Sequence, residues 1–153
     1  VSASTDTGDS AAKAPHGIAD VARSAGLSSR TLRHYDAIGL LPATAVGDGG
    51  LRRYDDRALV RLQRILLLRG SGLGLTEIAR RLGTDLGADG DTDDDAAALA
   101  DHLVWLERER DRLARQLAAV RTTVARLERG DRLTAAEAFD GFAPTRSPAA
   151  DAG

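Results

Sequence analysis

The 153-residue chain predicts a mainly α-helical protein: four short helices with one β-hairpin, then a single long helix. Three patterns carry that prediction. Short helical runs between Ile18 and Gly83 are punctuated by glycine, a Gly-rich turn at 47–50 leads into Leu51-Arg52-Arg53-Tyr54, and a heptad of apolar residues runs from Leu99 to Leu127.

Residues 1–15 are mostly Ser, Thr, Asp, Ala and Gly with almost nothing to bury, so a disordered extension is expected there. Ile18, Val21, Ala22 and Ala25 then recur at helical spacing until Gly26 stops the run. Ser28 is an N-cap candidate for a second helix through "SRTLRHYDAIGLL", which ends at Gly39. Two helices at about 18–37, joined by Gly26-Leu27-Ser28, read as a helix-turn-helix. Pro42 forbids further helix, and residues 42–54 read as a hairpin around Gly47-Asp48-Gly49-Gly50. Asp55 or Asp56 caps a third helix carrying Leu59, Leu62, Ile65, Leu66 and Leu68, and Thr76 caps a fourth that ends at Gly83.

Residues 85–95 read as an acidic linker. Asp89, Asp91 and Asp93 alternate as in a calcium loop, but Asp94 stands where that loop requires Gly and Ala100 where it requires Glu. No metal site is predicted, and Asp93 to Asp95 suit the positive end of the helix that follows.

That helix, 96–129, carries Leu99, Leu103, Leu106, Arg110, Leu113, Leu117, Val120, Val124 and Leu127, spaced alternately by four and three residues. Charged flanks leave an apolar stripe about 40 Å long, narrow enough to suit a two-helix seam. Self-association is expected, with folding back onto its own domain as the alternative. Arg110 is the polar residue in the seam, and such residues fix register. If facing positions of an antiparallel pair sum to 223, Leu103 meets Val120, Leu106 meets Leu117, Leu99 meets Val124 and Arg110 meets Leu113. Both Arg110 side chains can then snorkel to Glu107, Glu109 or Asp111. Residues 130–153 form a short tail.

Composition excludes several function classes. Without cysteine there is no disulfide, iron-sulfur cluster or thiolate metal site, and His16, His34 and His102 are too scattered to form a ligand cluster. No cofactor and no enzymatic activity are expected, because no histidine stands near a nucleophile and "GDGG" is only a glycine turn. No apolar run approaches about 20 residues and the start lacks a signal-peptide layout, so a soluble, cytoplasmic protein is expected, with no membrane partner. The net charge of −2 conceals an asymmetry: His16–Gly83 has 11 Arg against six acids, and Thr84–Gly153 has nine Arg against 15 acids. A basic block (+5) followed by an acidic segment (−6) suits a nucleic-acid-binding domain joined to something else.

The order Leu32-Arg33-x-Tyr35-Asp36, Ile38-Gly39-Leu40-Leu41, Arg52-x-Tyr54 and a closing amphipathic helix, across residues 17–83, resembles the MerR family of bacterial transcription regulators. The resemblance implies a winged helix-turn-helix (16–84) and a long dimerisation helix forming an antiparallel coiled coil. It further implies a homodimer on palindromic double-stranded promoter DNA, activating by distorting an overlong spacer so that RNA polymerase can engage. "RHYD" and Leu133–Phe142 are similar to the thiostrepton-induced (TipA-like) branch, where the coil leads into a helical antibiotic-binding domain. The chain ends eleven residues after Phe142, so most of that domain is expected to be lacking and the small-molecule effector is left unassigned. Metal-sensing branches place cysteines near the coil, and this chain has none. The alternatives are an architectural or excision-type winged-helix protein, or a short effector-less form acting as a constitutive regulator or repressor.

Carried onto this sequence, the resemblance places Ser28, Ser29, Arg30, Thr31 and Arg33 at the groove-facing end of the recognition helix. Arg30 and Arg33 suit base and phosphate contacts, with pairing of one of them to Asp36 or Asp20 as the alternative. His34 and Tyr35 match paired rings that clamp the DNA backbone, although the spacing of Tyr35 from Leu32 also fits a core position. In the wing, Arg52 and Tyr54 share one face and Arg53 takes the other. Family matching favours Arg52 or Arg53 on phosphates and Tyr54 partly in the core, while Leu51 departs from the usual aromatic. Arg57, Arg61 and Arg64 either hold phosphates or solubilise their helix.

Overall fold

A computed structural model of the chain describes residues 13–83, 92–145 and 148. They fall into two compact units that divide after Gly90. Among the described residues no helix is long and apolar enough to cross a membrane.

The first unit begins with β1 (His16–Gly17) and α1 (Ile18–Ala25), which ends at Gly26 with φ +69°. Ser28 then caps α2 (Ser29–Ala37), its side chain accepting from the Thr31 amide at 3.0 Å. This cap fixes where the second helix of the helix-turn-helix begins. Strands β2 (Ala45–Val46) and β3 (Arg52–Tyr54) form the hairpin, and Asp55 caps α3 (Asp56–Gly70) by accepting from Ala58 at 2.8 Å. The last helix, α4 (Leu75–Leu82), starts one residue ahead of the expected cap: Gly74, not Thr76, is its N-cap, with no side-chain bond.

The sheet has three strands, one more than the sequence suggested. β3 lies in the middle, with β1 and β2 both antiparallel to it; His16 faces Tyr54 and Ala45 faces Arg53. Residues 13–15, assigned to a disordered extension by composition, lead directly into this edge. Ala14 is fully buried, and Arg53 donates to the carbonyls of Ala14 (2.8 Å) and Pro15 (2.7 Å). Two-residue strands carry no detectable periodicity, so only the tertiary partner reveals β1. The rest of the extension, 1–12, lies outside the described residues.

Ile18, Val21, Leu32, Tyr35, Leu40, Leu41, Tyr54, Leu62, Ile65 and Ile78 form the core, drawing on every helix of this unit and on β3. Arg61 is buried among them. It donates to the carbonyls of Leu40 (2.7 Å), Leu82 (3.4 Å) and Gly83 (2.6 Å), joining the loop after α2 to the end of α4. Its position between Ala58 and Ile65 puts it on the inner face of α3, where a buried guanidinium needs acceptors and helix-end carbonyls supply them. The expectation of Arg61 as a phosphate contact or surface solubiliser is thereby corrected.

The second unit is built on α5 (Thr92–Arg129), 38 residues long. It begins inside the stretch read as linker; positions 85–91 of that linker lie outside the described residues. After Gly130 the chain turns back, and Thr134 caps the short α6 (Ala135–Ala138). The returning segment is fastened along one flank of α5. Arg126 binds the Arg132 carbonyl (2.8 Å) and Glu137 (2.6 Å), while Arg112, paired with Glu109, donates to the Gly141 carbonyl at 3.1 Å. Ala119 is buried beneath it. Gly141 has φ +79°, and a Cβ there would stand 2.6 Å from the Arg112 carbonyl oxygen and the Gln116 nitrogen. Glu109, Arg112, Gln116, Ala119 and Arg126 each directly precede a seam residue, so the seam is the adjacent, more open stripe.

Candidate nucleic-acid interface

The N-terminal part of α2 presents the residues expected to meet DNA. Ser28 and Thr31 hydroxyls lie 2.9 Å apart, Ser29 and Thr31 are half-buried, and Arg30, Arg33 and His34 are exposed. Arg30 and Arg33 have no hydrogen-bond or ion-pair partner among the described residues. The two carboxylates that could have neutralised them are engaged elsewhere: Asp20 by Arg23, and Asp36 by Arg52. A helix end with unpaired, exposed guanidiniums can reach base edges or phosphates without first breaking a bond.

The ring pair divides. His34 is exposed, whereas Tyr35 is 1% exposed and accepts a hydrogen bond from Arg69 at 2.6 Å. The Tyr35 ring belongs to the core, which the three-residue spacing from Leu32 had allowed.

The wing is held from within. Arg52 donates to Asp36 at 2.7 Å, Arg53 is taken up by the N-terminal carbonyls, and Tyr54 is fully buried. Burial pushes the Tyr54 phenol above its usual value, with a further rise from Asp36, so it stays neutral. Its hydroxyl has no partner among the described residues. The alternation read from the sequence is present, with Arg52 and Tyr54 turned inward and Arg53 towards β1. The ion pair across 16 residues and the carbonyl clamp could not be read from it. Leu51 (49% exposed) and Val46 (62% exposed) stand at the hairpin's surface.

No group of His, Cys, Asp and Glu able to hold a metal ion occurs among the described residues.

A family model described as "MerR HTH family regulatory protein" matches residues 17–84. The crystal structure of the HTH-type transcriptional regulator SkgA from Caulobacter crescentus is 39% identical, matching 84% of this chain and 88% of that one with a TM-score of 0.66. The chain belongs to the MerR family. It is a regulatory family rather than an enzymatic one. Among curated MerR relatives, SkgA of Caulobacter vibrioides is 39% identical over 132 residues, which is 84% of this chain and 48% of SkgA. The HTH-type transcriptional activator TipA of Streptomyces coelicolor is 37% identical over 131 residues, 83% of this chain and 48% of TipA. The chain thus spans about half the length of the curated relatives it matches.

Proposed function

We propose that this MerR-family chain is a transcriptional regulator that binds palindromic promoter DNA as a homodimer, with α2 in the major groove. The observation that carries the reading is the pair of exposed, unpartnered guanidiniums, Arg30 and Arg33, on a helix whose start is fixed by the Ser28 cap. Ser28, Ser29 and Thr31 supply hydroxyls beside them, and His34 extends the surface along the helix.

Dimerisation uses α5. Leu103, Leu106, Leu113, Leu117, Val120, Val124 and Leu127 are 41 to 66% exposed along one stripe, which a second copy would cover. Arg110 reaches Asp111 on its own helix (3.1 Å), consistent with a guanidinium that leaves the seam centre for a flanking carboxylate. The antiparallel register summing to 223 places it there in both copies. On this reading the regulator activates by distorting an overlong promoter spacer, and it meets RNA polymerase through the promoter. The returning segment Leu133–Phe142, together with the likeness to TipA, supports a place in the thiostrepton-induced branch.

Salt dependence of binding tests the reading. If Arg30 and Arg33 of both protomers neutralise four phosphates, log K falls against log salt with a slope of about −4. A slope near zero refutes it.

A further inference from the structure

Asp36 and Arg52 are 16 residues apart in sequence and in direct contact, Arg52 Nε donating to Asp36 Oδ2 at 2.7 Å with side chains 30% (Arg52) and 25% (Asp36) exposed. Asp36 lies in the last turn of α2 and Arg52 begins β3. The other carboxylate oxygen, Oδ1, accepts from the Ala43 amide at 3.4 Å, on the segment leading into β2. One carboxylate therefore holds both limbs of the wing against the end of the recognition helix.

We propose that Asp36 and Arg52 form a latch that sets the wing against α2, which makes Arg52 a positioning residue rather than a phosphate ligand. The inference rests on the DNA-binding reading above and departs from the role that family matching gave Arg52. For Arg52 to bind a phosphate on its own, it would have to release Asp36. That would leave an unpaired carboxylate near the negative end of the α2 dipole and close to the DNA phosphates, both unfavourable. With the latch closed, the pair carries no net charge. Even an Nη that touched the backbone would then bring no net charge to it, so the salt slope distinguishes a latched arginine from a free cationic phosphate ligand. Arg30 and Arg33 have no such partner to give up.

The experiment uses the full chain and a duplex selected by it from a random-sequence pool, with affinity measured by fluorescence anisotropy across a salt series. Arg52→Gln and Asp36→Asn should each weaken binding about tenfold, the effect of losing one charge-assisted hydrogen bond. The double variant should be no weaker than the worse single one, Arg52→Lys should recover part of the loss, and the slope for Arg52→Gln should match that of the unsubstituted chain. Arg30→Gln should instead make the slope shallower by about 1.8 for the dimer. The latch is overturned if Arg52→Gln shows that same shallower slope, if neither single variant loses affinity, or if the two losses simply add. Should the unsubstituted chain select no sequence and show no salt dependence, the DNA-binding reading itself falls, a result distinct from failure of the latch.

Discussion

Arg69, in the last turn of α3, donates to the hydroxyl of Tyr35 on the recognition helix at 2.6 Å. The bond ties the inward face of α2 to the helix beneath it, leaving the outward face to Arg30, Arg33 and His34. Tyr35→Phe should cost about 1 kcal/mol in urea unfolding, because Arg69 is exposed and can take water instead. Tyr35→Ala should cost about 3–5 kcal/mol through the cavity it leaves. Neither should change the salt slope of DNA binding beyond what unfolding explains.

Acid should loosen α4 through Glu77. Its carboxylate is held by hydrogen bonds from Arg80 (2.6 Å) and Arg81 (2.8 Å), which lower its pKa from 4.5 to about 2. A depressed carboxylate contributes stability that is fully present above the unfolded value, about 4.5, and is lost as pH falls towards 2. Melting temperatures recorded across that interval should fall less steeply for Glu77→Gln than for the unsubstituted chain. Equal slopes would show that the two arginines contribute nothing there.

His102 works in the same direction at higher pH. It is buried on α5 with its ring 5.4 Å from Trp105, and desolvation lowers its pKa from 6.5. Folding favours the neutral ring, so stability is present above about 6.5 and declines as pH drops below it. His102→Leu should remove that decline from the thermal unfolding of the chain.

The returning segment depends on Gly141. Any side chain there meets backbone of α5 at 2.6 Å, which cannot give way, and φ +79° adds strain. Gly141→Ala should release residues 134–142, costing about 1–3 kcal/mol locally. Hydrogen exchange at Phe139 and Phe142 should accelerate while amides in the middle of α5 keep their rates. Unchanged exchange at both would contradict the fastening role of Gly141.

Dimer orientation is open to the same kind of check. Cysteines introduced at 99 and 124 should crosslink one to the other between copies if the coil is antiparallel, whereas 99-to-99 bridges would show a parallel pair. Arg110→Leu should tighten association while allowing more than one register, as loss of a polar seam residue does.

What could be read from the sequence was local. Ser28 and Asp55 signal their helices because a cap acts within three residues, and the seam of α5 repeats often enough to be counted. What could not be read was long-range: β1 has two residues, Arg53 finds carbonyls 38 and 39 positions away, and Arg61 looks like any surface arginine until three carbonyls surround it. At the site, Arg30 and Arg33 were identified by helix position. That they are unpaired became visible only when Asp20 and Asp36 were found bound to other arginines. Of the wing arginines expected to hold phosphates, Arg52 is bonded to Asp36 and Arg53 to the carbonyls of Ala14 and Pro15, contacts equally invisible in the sequence. A residue type announces a charge, and only tertiary contacts show where that charge is used.

Footprinting on genomic DNA decides whether the chain reads palindromic promoter sites through α2. Protected sites should be palindromes located between promoter elements with an overlong spacer, and should be lost together when Arg30 and Arg33 are both replaced by glutamine. Protection of sites with no two-fold symmetry, or sites that survive that double replacement, would contradict that reading.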